Sequence, residues 1–487
     1  MTRRNQLLCL TAAALTVIAL LIACGGGGGG GSGAGRGTSS PATVNVTVSD
    51  PATCSAPASG PYSSVWVTIS DVQIHTSATA ADNDPNWFDL TPNLKNTPQQ
   101  VDLLAAASNQ CFLATLGSTT ALQPGTYQQI RIILADNAST VANNHCGATG
   151  VNCVILAPPQ TQVPQALALS SESKTGMKIP SGQIAGGKFT IASGETKDLN
   201  IDFDTCASIV VQGNGQFRLK PALHAGEVAL TSNSISGKVV DKATNLPIAG
   251  GKSIVALEQK DASGVERVIL QTTPDNTGAF NFCPVPAGTY EVVAVAVNGA
   301  NVAYAATITS GVQPGNALGN IPMTAVTGAS TAQATITGDV TTANASNSGT
   351  GADVLVSALQ NVALPCPSGQ VCPLVLTSVT IPVGPQSATL SLTTEKTCLL
   401  ATCPTFTASY SISVPPMNPT VGAFVATGTT YTAGAAGNPG YAIEGQAFVP
   451  QSGGTADCAP PIKTTPQVSV NGGTSTAAPT LAFTGCQ

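Results

Sequence analysis

Runs in which every second residue is apolar recur along almost the whole chain, and they set what it can fold into. Val44-Asn-Val-Thr-Val48 alternates. So do Val65-Trp-Val-Thr-Ile69, with its continuation into Val72 and Ile74, and later Ala334 to Val340, Thr405 to Val414 and Ala442 to Val449. A strand sends successive side chains to opposite faces, so a period of two marks a half-buried strand. The runs are short, and Gly, Pro and Asn lie between them, which is the spacing of β-sandwiches. Charged residues make up only 9% of the 487, a poor basis for amphipathic helices, while Gly, Ser, Thr, Ala, Val and Pro favour strands and turns. The one stretch with helical character is Val101 to Leu116. The expected fold class is all-β, as tandem β-sandwiches of the prealbumin-like or Ig-like kind.

The first forty residues read as an address. Arg3 and Arg4 precede an apolar stretch from Leu7 to Ile22, which ends in Leu21-Ile22-Ala23-Cys24. This is the layout of a secretory signal peptide, and the terminal tetrapeptide resembles a bacterial lipobox. The resemblance implies cleavage after residue 23 and acylation of Cys24, hence a membrane-lipid partner and a position on the outer membrane of a diderm bacterium. Two or more acyl chains hold a protein stably on a bilayer where one does not. Gly25 to Gly31 and the Ser-containing residues up to 41 cannot pack a core. They form a tether reaching roughly 20–25 Å.

Loss of residues 1–23 removes two arginines and no acid, leaving 16 basic against 24 acidic residues and a net charge of −8. Nucleic acid is disfavoured as a partner, because phosphate binding needs a basic stripe. Of the 14 cysteines, Cys9 leaves with the signal and Cys24 carries lipid. An even remainder in an exported chain reads as disulfides. The close pairs are Cys146–Cys153, Cys366–Cys372 and Cys398–Cys403, with Cys458–Cys486 as a fourth. Cys54, Cys111, Cys206 and Cys283 permit three connectivities. Zinc would call for CxxC pairs or clustered histidines, and His75, His145 and His224 are far apart in sequence.

Three folded units follow the tether, at 42–228, 233–325 and 332–487. The first contains Val46-Thr-Val-Ser-Asp-Pro51, Val65-Trp-Val-Thr-Ile-Ser-Asp-Val72, Val101-Asp-Leu-Leu104 and Leu122-Gln-Pro-Gly-Thr-Tyr-Gln-Gln-Ile-Arg131. Lys174-Thr-Gly-Met-Lys178, Ile201-Asp-Phe-Asp204 with Ser208-Ile-Val210, and Phe217-Arg-Leu-Lys-Pro221 come after them. In order and spacing these pieces resemble a bacterial lipoprotein family, domain of unknown function 4382 (DUF4382). The family has no established activity to carry over. In the second unit, Ile235-Ser-Gly-Lys-Val-Val-Asp241, Asp275-Asn-Thr-Gly-Ala-Phe-Asn-Phe282 and Pro286-Ala-Gly-Thr-Tyr290 resemble a carboxypeptidase-regulatory-like, transthyretin-type module. Such modules serve as spacers or supports, and some related sandwiches bind carbohydrate. Gln-Pro-Gly-Thr-Tyr127 and Pro-Ala-Gly-Thr-Tyr290 are near copies: a glycine turn, then a tyrosine whose hydroxyl can bond backbone.

Candidate sites are few. Asp202 and Asp204 flank Phe203, and on a strand both carboxylates face one side. The pair reads first as a solvated strand face or as hydrogen-bond partners of a loop; calcium is the cofactor it would otherwise suggest, and calcium takes six to eight oxygens where two are in view. Asp275-Asn-Thr-Gly278 reads as a plain turn. Ser171-Glu-Ser-Lys174 and Lys174-Thr-Gly176 fit motifs of penicillin-binding enzymes, but they overlap at one lysine that cannot serve both roles. Gly-Lys-Ser253 lacks the earlier glycine of a phosphate loop. Trp66, Trp87, Tyr62 and Tyr127 serve either as core or as a sugar-binding platform. The chain therefore reads as a non-catalytic envelope lipoprotein that presents or supports a binding surface, with a polysaccharide or envelope protein as partner. An envelope hydrolase with an unfamiliar carboxylate site and a plain structural spacer are the competing readings.

Overall fold

The structure, a computed structural model, describes residues 40–49, 62–104, 114–169, 172–203, 205–211, 215–219, 223–228, 234–261, 263–283, 285, 288–365, 376–384, 388–395, 403–434, 439–449 and 458–486. Cys24, Cys54, Cys111, Ser171, Asp204, Cys366, Cys372 and Cys398 lie outside them, as do the signal and nearly all of the tether. The described chain is all-β apart from short helical turns.

The first region holds β1 (Ala42–Ser49), β2 (Tyr62–His75), β3 (Phe88–Asp89), β4 (Gln99–Asp102), β5 (Ala114–Leu122), β6 (Gly125–Tyr127), β7 (Gln129–Leu134) and β8 (Cys153–Leu156). It continues with β9 (Gln165–Ala168), β10 (Met177–Pro180), β11 (Phe189–Ile191), β12 (Thr196–Phe203), β13 (Ile209–Val211), β14 (Phe217–Leu219) and β15 (Leu223–Val228). One sheet runs β15-β12-β1-β5; the other runs β10-β7-β2-β8-β9-β14-β13, with β3 and β4 also on β2. The core between them is what the alternation implies. Val44, Val46 and Val48 of β1 and Leu199, Ile201 and Phe203 of β12 meet Val65, Val67 and Ile69 of β2 and Ile130, Ile132 and Leu134 of β7. Each such side chain stabilises the fold by about 1.5–3 kcal/mol when fully buried. The stretch expected to be helical begins in β4 at Val101 and ends in β5 at Leu116. Between them Leu103 and Leu104 are helical, and 105–113 are outside the described residues.

The second region holds β16 (Ile235–Asp241), β17 (Lys252–Lys260), β18 (Val265–Thr272), β19 (Ala279–Phe282), β20 (Tyr290–Val297), β21 (Thr307–Val312) and β22 (Ala317–Met323). The third holds β23 (Ala334–Thr342), β24 (Asp353–Ala363), β25 (Leu376–Ile381), β26 (Leu390–Thr393), β27 (Phe406–Val414) and β28 (Thr420–Ala423). It ends with β29 (Thr432–Ala433), β30 (Gly440–Phe448), β31 (Ile462–Thr464), β32 (Val468–Ser469), β33 (Ser475–Ala477) and β34 (Leu481–Phe483).

These two regions share a sheet. It runs β29-β28-β21-β20-β17-β18-β25-β24-β30-β31, joined by parallel pairs β21–β28 and β18–β25. On one face of β17, β18 and β20, Val255, Leu257, Ile269, Val292, Ala294 and Ala296 pack on the small sheet β19-β16-β22. On the other face, Ile254, Ala256, Val268, Val293 and Val295 pack with Ile336, Val340, Tyr410 and Ile412 of the β27-β23 layer. The units expected at 233–325 and 332–487 are thus joined as three layers about one doubly buried sheet. Strands buried on both faces read as unbroken apolar runs, and Val292-Val-Ala-Val-Ala-Val297 is such a run. The first region docks through the 3₁₀ turns Ser181–Gln183 and Ala185–Gly187, where Ala185 packs against the second core and the Gln183 amide donates to Gln446 Oε1 at 3.3 Å.

Candidate functional site

Alternation slips by one residue in β2. The register is irregular between Ile69 and Asp71, so Val65, Val67 and Ile69 face the core and, beyond the slip, Val72 and Ile74 do. An extra residue in one strand re-aims every side chain after it. Asp71, Gln73 and His75 accordingly fall on the outer face, beside Gln129 and Arg131 of β7 and Lys178 of β10. They are nevertheless buried, because the segment after β2 folds back over them.

Burying charge in this way is costly unless each charge is paired. Lys178 Nζ lies 2.7 Å from Asp82 Oδ1. The Arg131 guanidinium donates to Gln73 Oε1 at 2.7 Å and to the carbonyls of Asp82 and Thr175 at 2.8 and 3.3 Å. It also sits 4.1 Å from the ring centroid of Trp87, whose indole N–H donates to the Ala81 carbonyl at 2.8 Å. Lys95 bridges Asp71 and Asp89 at 3.3 and 2.7 Å. Burial, reinforced by Asp89, pushes the Asp71 carboxyl up to about 6, with Lys95 opposing. His75 Nδ1 accepts from the Ser77 N–H at 2.9 Å, which leaves its proton on Nε2, 3.5 Å from Asp84 Oδ1. The Asn86 backbone N–H is the main cause that holds the Asp84 carboxyl below its ordinary range.

This arrangement clamps a loop onto a sheet with ion pairs and one indole. Asp71, Gln129, Arg131, Thr175 and Lys178 all come from three of the segments that carry the DUF4382 resemblance. The phase slip at Ser70 was the signal, present in Val-Trp-Val-Thr-Ile-Ser-Asp-Val-Gln-Ile-His75, that could have located the face. Trp87→Phe, which loses the indole bond and weakens the contact to Arg131, should cost about 1–2 kcal/mol. A urea midpoint that shifts at unchanged slope would measure it; an unmoved midpoint would mean that the indole contributes nothing.

The sequence-predicted residues fall elsewhere. Asp202 is buried on β12, opposite His224 of β15, and accepts from the Ser49 hydroxyl at 3.0 Å. Among the described residues no three His, Cys, Asp or Glu are grouped to hold a metal ion. Cys146–Cys153 and Cys458–Cys486 are disulfides, and Cys283 and Cys403 are each in a disulfide too. Trp66 stacks flat on the exposed His145, centroids 3.9 Å apart; Tyr62 and Tyr127 are core. The Tyr127 hydroxyl donates to the Gln123 carbonyl at 2.6 Å, the backbone bond expected of its turn motif. In Lys174-Thr-Gly176 the glycine has φ +82°, and a Cβ there would meet the Ile132 carbonyl at 2.9 Å, so it serves the approach of β10 to β7. Asp275 Oδ1 accepts from the N–H groups of Thr277 and Ala279, the plain turn expected. A pocket of about 230 Å³ nearby is lined by Val239, Pro247, Ile248, Lys252, Thr273 and Asp275 among others.

Comparison with known proteins extends this picture. No curated protein matches the chain. Among solved structures, the Bacillus anthracis TIE protein is 9% identical at a TM-score of 0.16, over 91% of this chain and 51% of that one. A DUF3823 family protein from Bacteroides uniformis is 10% identical at 0.15, over 50% and 99%. The major pilin SpaD from Corynebacterium diphtheriae is 11% identical at 0.16, over 49% and 65%. The chain thus spans about half the length of the TIE protein, and likenesses this faint say nothing of what it binds. The family model of the domain of unknown function DUF4382 matches residues 41–221. A DUF4382 domain therefore covers 41–221, and the rest of the chain is β-rich.

Proposed function

We propose that this chain is a lipid-anchored, non-catalytic surface protein of the outer membrane. In this reading Cys24 carries the anchor and the glycine-rich residues after it the tether. The β body holds a binding face outward for a polysaccharide or an envelope protein. The observation that supports it is how the first region uses its ionisable groups. Asp71, Arg131 and Lys178 of the sheet are tied by ion pairs and hydrogen bonds to the segment that covers them, which carries Asp82, Asp89 and Lys95, an arrangement suited to rigid presentation. Pairing of this kind leaves the carboxylates committed to structure, whereas an acid–base catalyst must reach the proton it moves.

Replacing residues 1–24 with an ordinary cleavable secretion signal tests the anchor. Each buried acyl methylene contributes about 0.8 kcal/mol to membrane binding, so the altered chain should be soluble, folded and disulfide-bonded outside the cytoplasm. Sedimentation with membranes that resists carbonate washing would sink the reading. Pull-down of that soluble chain against polysaccharide and envelope-protein fractions then tests the partner class.

A further inference from the structure

The doubly buried sheet carries an acidic cluster that the proposed function does not use. Glu258 of β17 and Glu291 of β20 are register partners on adjacent strands. On the other side of β17, Glu258 pairs with Val268 of β18, and Glu266 stands two residues along. Alternation places all three with Ile254, Ala256, Val268, Val293 and Val295, on the face turned to the β27-β23 layer. Glu258 is 0% exposed and Glu266 3%, and Glu291 is half-buried. Glu258 Oε1 and Glu291 Oε2 are buried with no hydrogen-bond partner among the described residues. The nearby cations do not balance them. Lys260, half exposed, reaches Glu266 at 3.4 Å. Arg267 is committed to Asp261 at 2.9 Å and to Glu444 of β30.

Glu258 and Glu266 reach the seam between the second and third regions, while Glu291 stands on β20, behind Glu258. There β18 pairs with β25 through two register pairs, Val265↔Ser378 and Glu266↔Val379. The Thr380 N–H donates to Glu258 Oε2 at 3.2 Å, and the Thr380 hydroxyl donates to the Glu266 carbonyl at 2.7 Å. The carboxyl of Glu258 thus reaches from one region to the other, across a junction with little else in its ladder.

We propose that Glu258, Glu266 and Glu291 form a proton-operated joint, which holds the β18–β25 seam closed while they are protonated and loosens it as they ionise. Three charges on one face, those of Glu258 and Glu266 fully buried and that of Glu291 partly so, repel each other with little solvent to screen them, and the two-pair seam is the weakest strand contact beside them. Burial, then Glu266 and Glu291, drives the Glu258 carboxyl well above its ordinary range, with the Thr380 N–H and Arg267 opposing. Burial and Glu266 do the same to Glu291, against the Gly311 N–H from β21 and Lys260. Burial also raises Glu266, chiefly against Lys260, while Asp261 adds to the rise. A carboxyl raised in the fold binds its proton more tightly there than in the unfolded chain. Its contribution is complete below the ordinary glutamate range and is lost as pH rises through the raised values.

Hydrogen exchange on the full mature protein at pH 5.5 and 8.5, corrected for intrinsic rates, tests this. Protection of β18 and β25 relative to β23 and β27 should fall at least tenfold at the higher pH. In the double variant Glu258→Gln/Glu291→Gln, which mimics the protonated pair, that ratio should not change with pH. Should the double variant fail to fold, Glu266→Gln alone should reduce the ratio's change. A wild-type ratio that is flat with pH, or one whose change survives in the variants, overturns the proposal.

Discussion

Arg267→Met is expected to lower the unfolding free energy by about 3–5 kcal/mol, because it strands buried charge. Arg267 and Glu444 are 5% and 3% exposed. The guanidinium donates to both carboxylate oxygens of Glu444 and, through Nε, to Asp261 Oδ2 at 2.9 Å. Burial alone would pull the arginine's pKa down, but Glu444 and Asp261 together hold it above its ordinary value. Methionine fills much of the space and leaves two carboxylates without their cation. The double variant Arg267→Met/Glu444→Leu should recover much of the loss, since replacing a whole buried pair costs far less than breaking it. Lys197 offers the contrast. Its partner Glu227, at 2.6 Å, is 45% exposed in its side chain, so Lys197→Met should cost no more than about 1 kcal/mol. Denaturant titration of the four proteins decides the matter; equal losses for Arg267→Met and Lys197→Met would mean that the buried pair has no special weight.

Acid should unfold the protein partly through His224. This imidazole is 1% exposed on β15, and burial depresses its pKa from 6.5 to about 4. Between those values the unfolded chain holds the proton and the folded chain does not. Stability from this group is therefore fully present above about 6.5 and declines as pH falls toward 4. A shift of this size corresponds to about 3 kcal/mol. The difference in unfolding free energy between wild type and His224→Gln should change by that amount from pH 7 to pH 4. A difference that stays constant would show that burial leaves the pKa of His224 where it is in the unfolded chain. The acid limb from His224 and the alkaline limb expected from Glu258 and Glu291 act on stability in opposite directions as pH rises.

Strands were legible wherever one face is buried and the other is wet. Val44 to Val48 lies within β1, Ala334 to Val340 within β23, and Thr405 to Val414 overlaps β27 nearly end to end. A period of two reports one buried face, and these strands have one. The shared sheet was less legible because its strands have two. The run Val292 to Val297 records burial on both sides, but nothing local says which partner covers each face. Val101 to Leu116 was legible in part: pairing with β2 and β1 draws its two ends into strands, Leu103 and Leu104 are helical as expected, and 105–113 lie outside the described residues. As for the polar face, its residues were in view as family landmarks, but that Asp71, Arg131 and Lys178 converge is set by register. Pairing of β2 with β7 places Gln73 opposite Arg131, and pairing of β10 with β7 places Lys178 opposite Arg131. Glu258 and Glu291 were invisible as a pair, since strands 33 residues apart in number gain meaning only once β17 and β20 lie side by side.

The parallel pairing of β1 with β12 has a consequence in time. Asn45 bonds Asp198 at 2.7 Å across 153 residues of sequence. Ribosomes add about 5–20 residues per second, so where export keeps pace with synthesis β1, with β5 on its other edge, waits on the order of 8–30 s for β12. Meanwhile Val44, Val46 and Val48 have no completed sheet to enter, and an unpaired apolar strand is a template for the wrong neighbour. The chain is therefore open to mispairing until its first unit is finished, and a holding factor would do good in that interval.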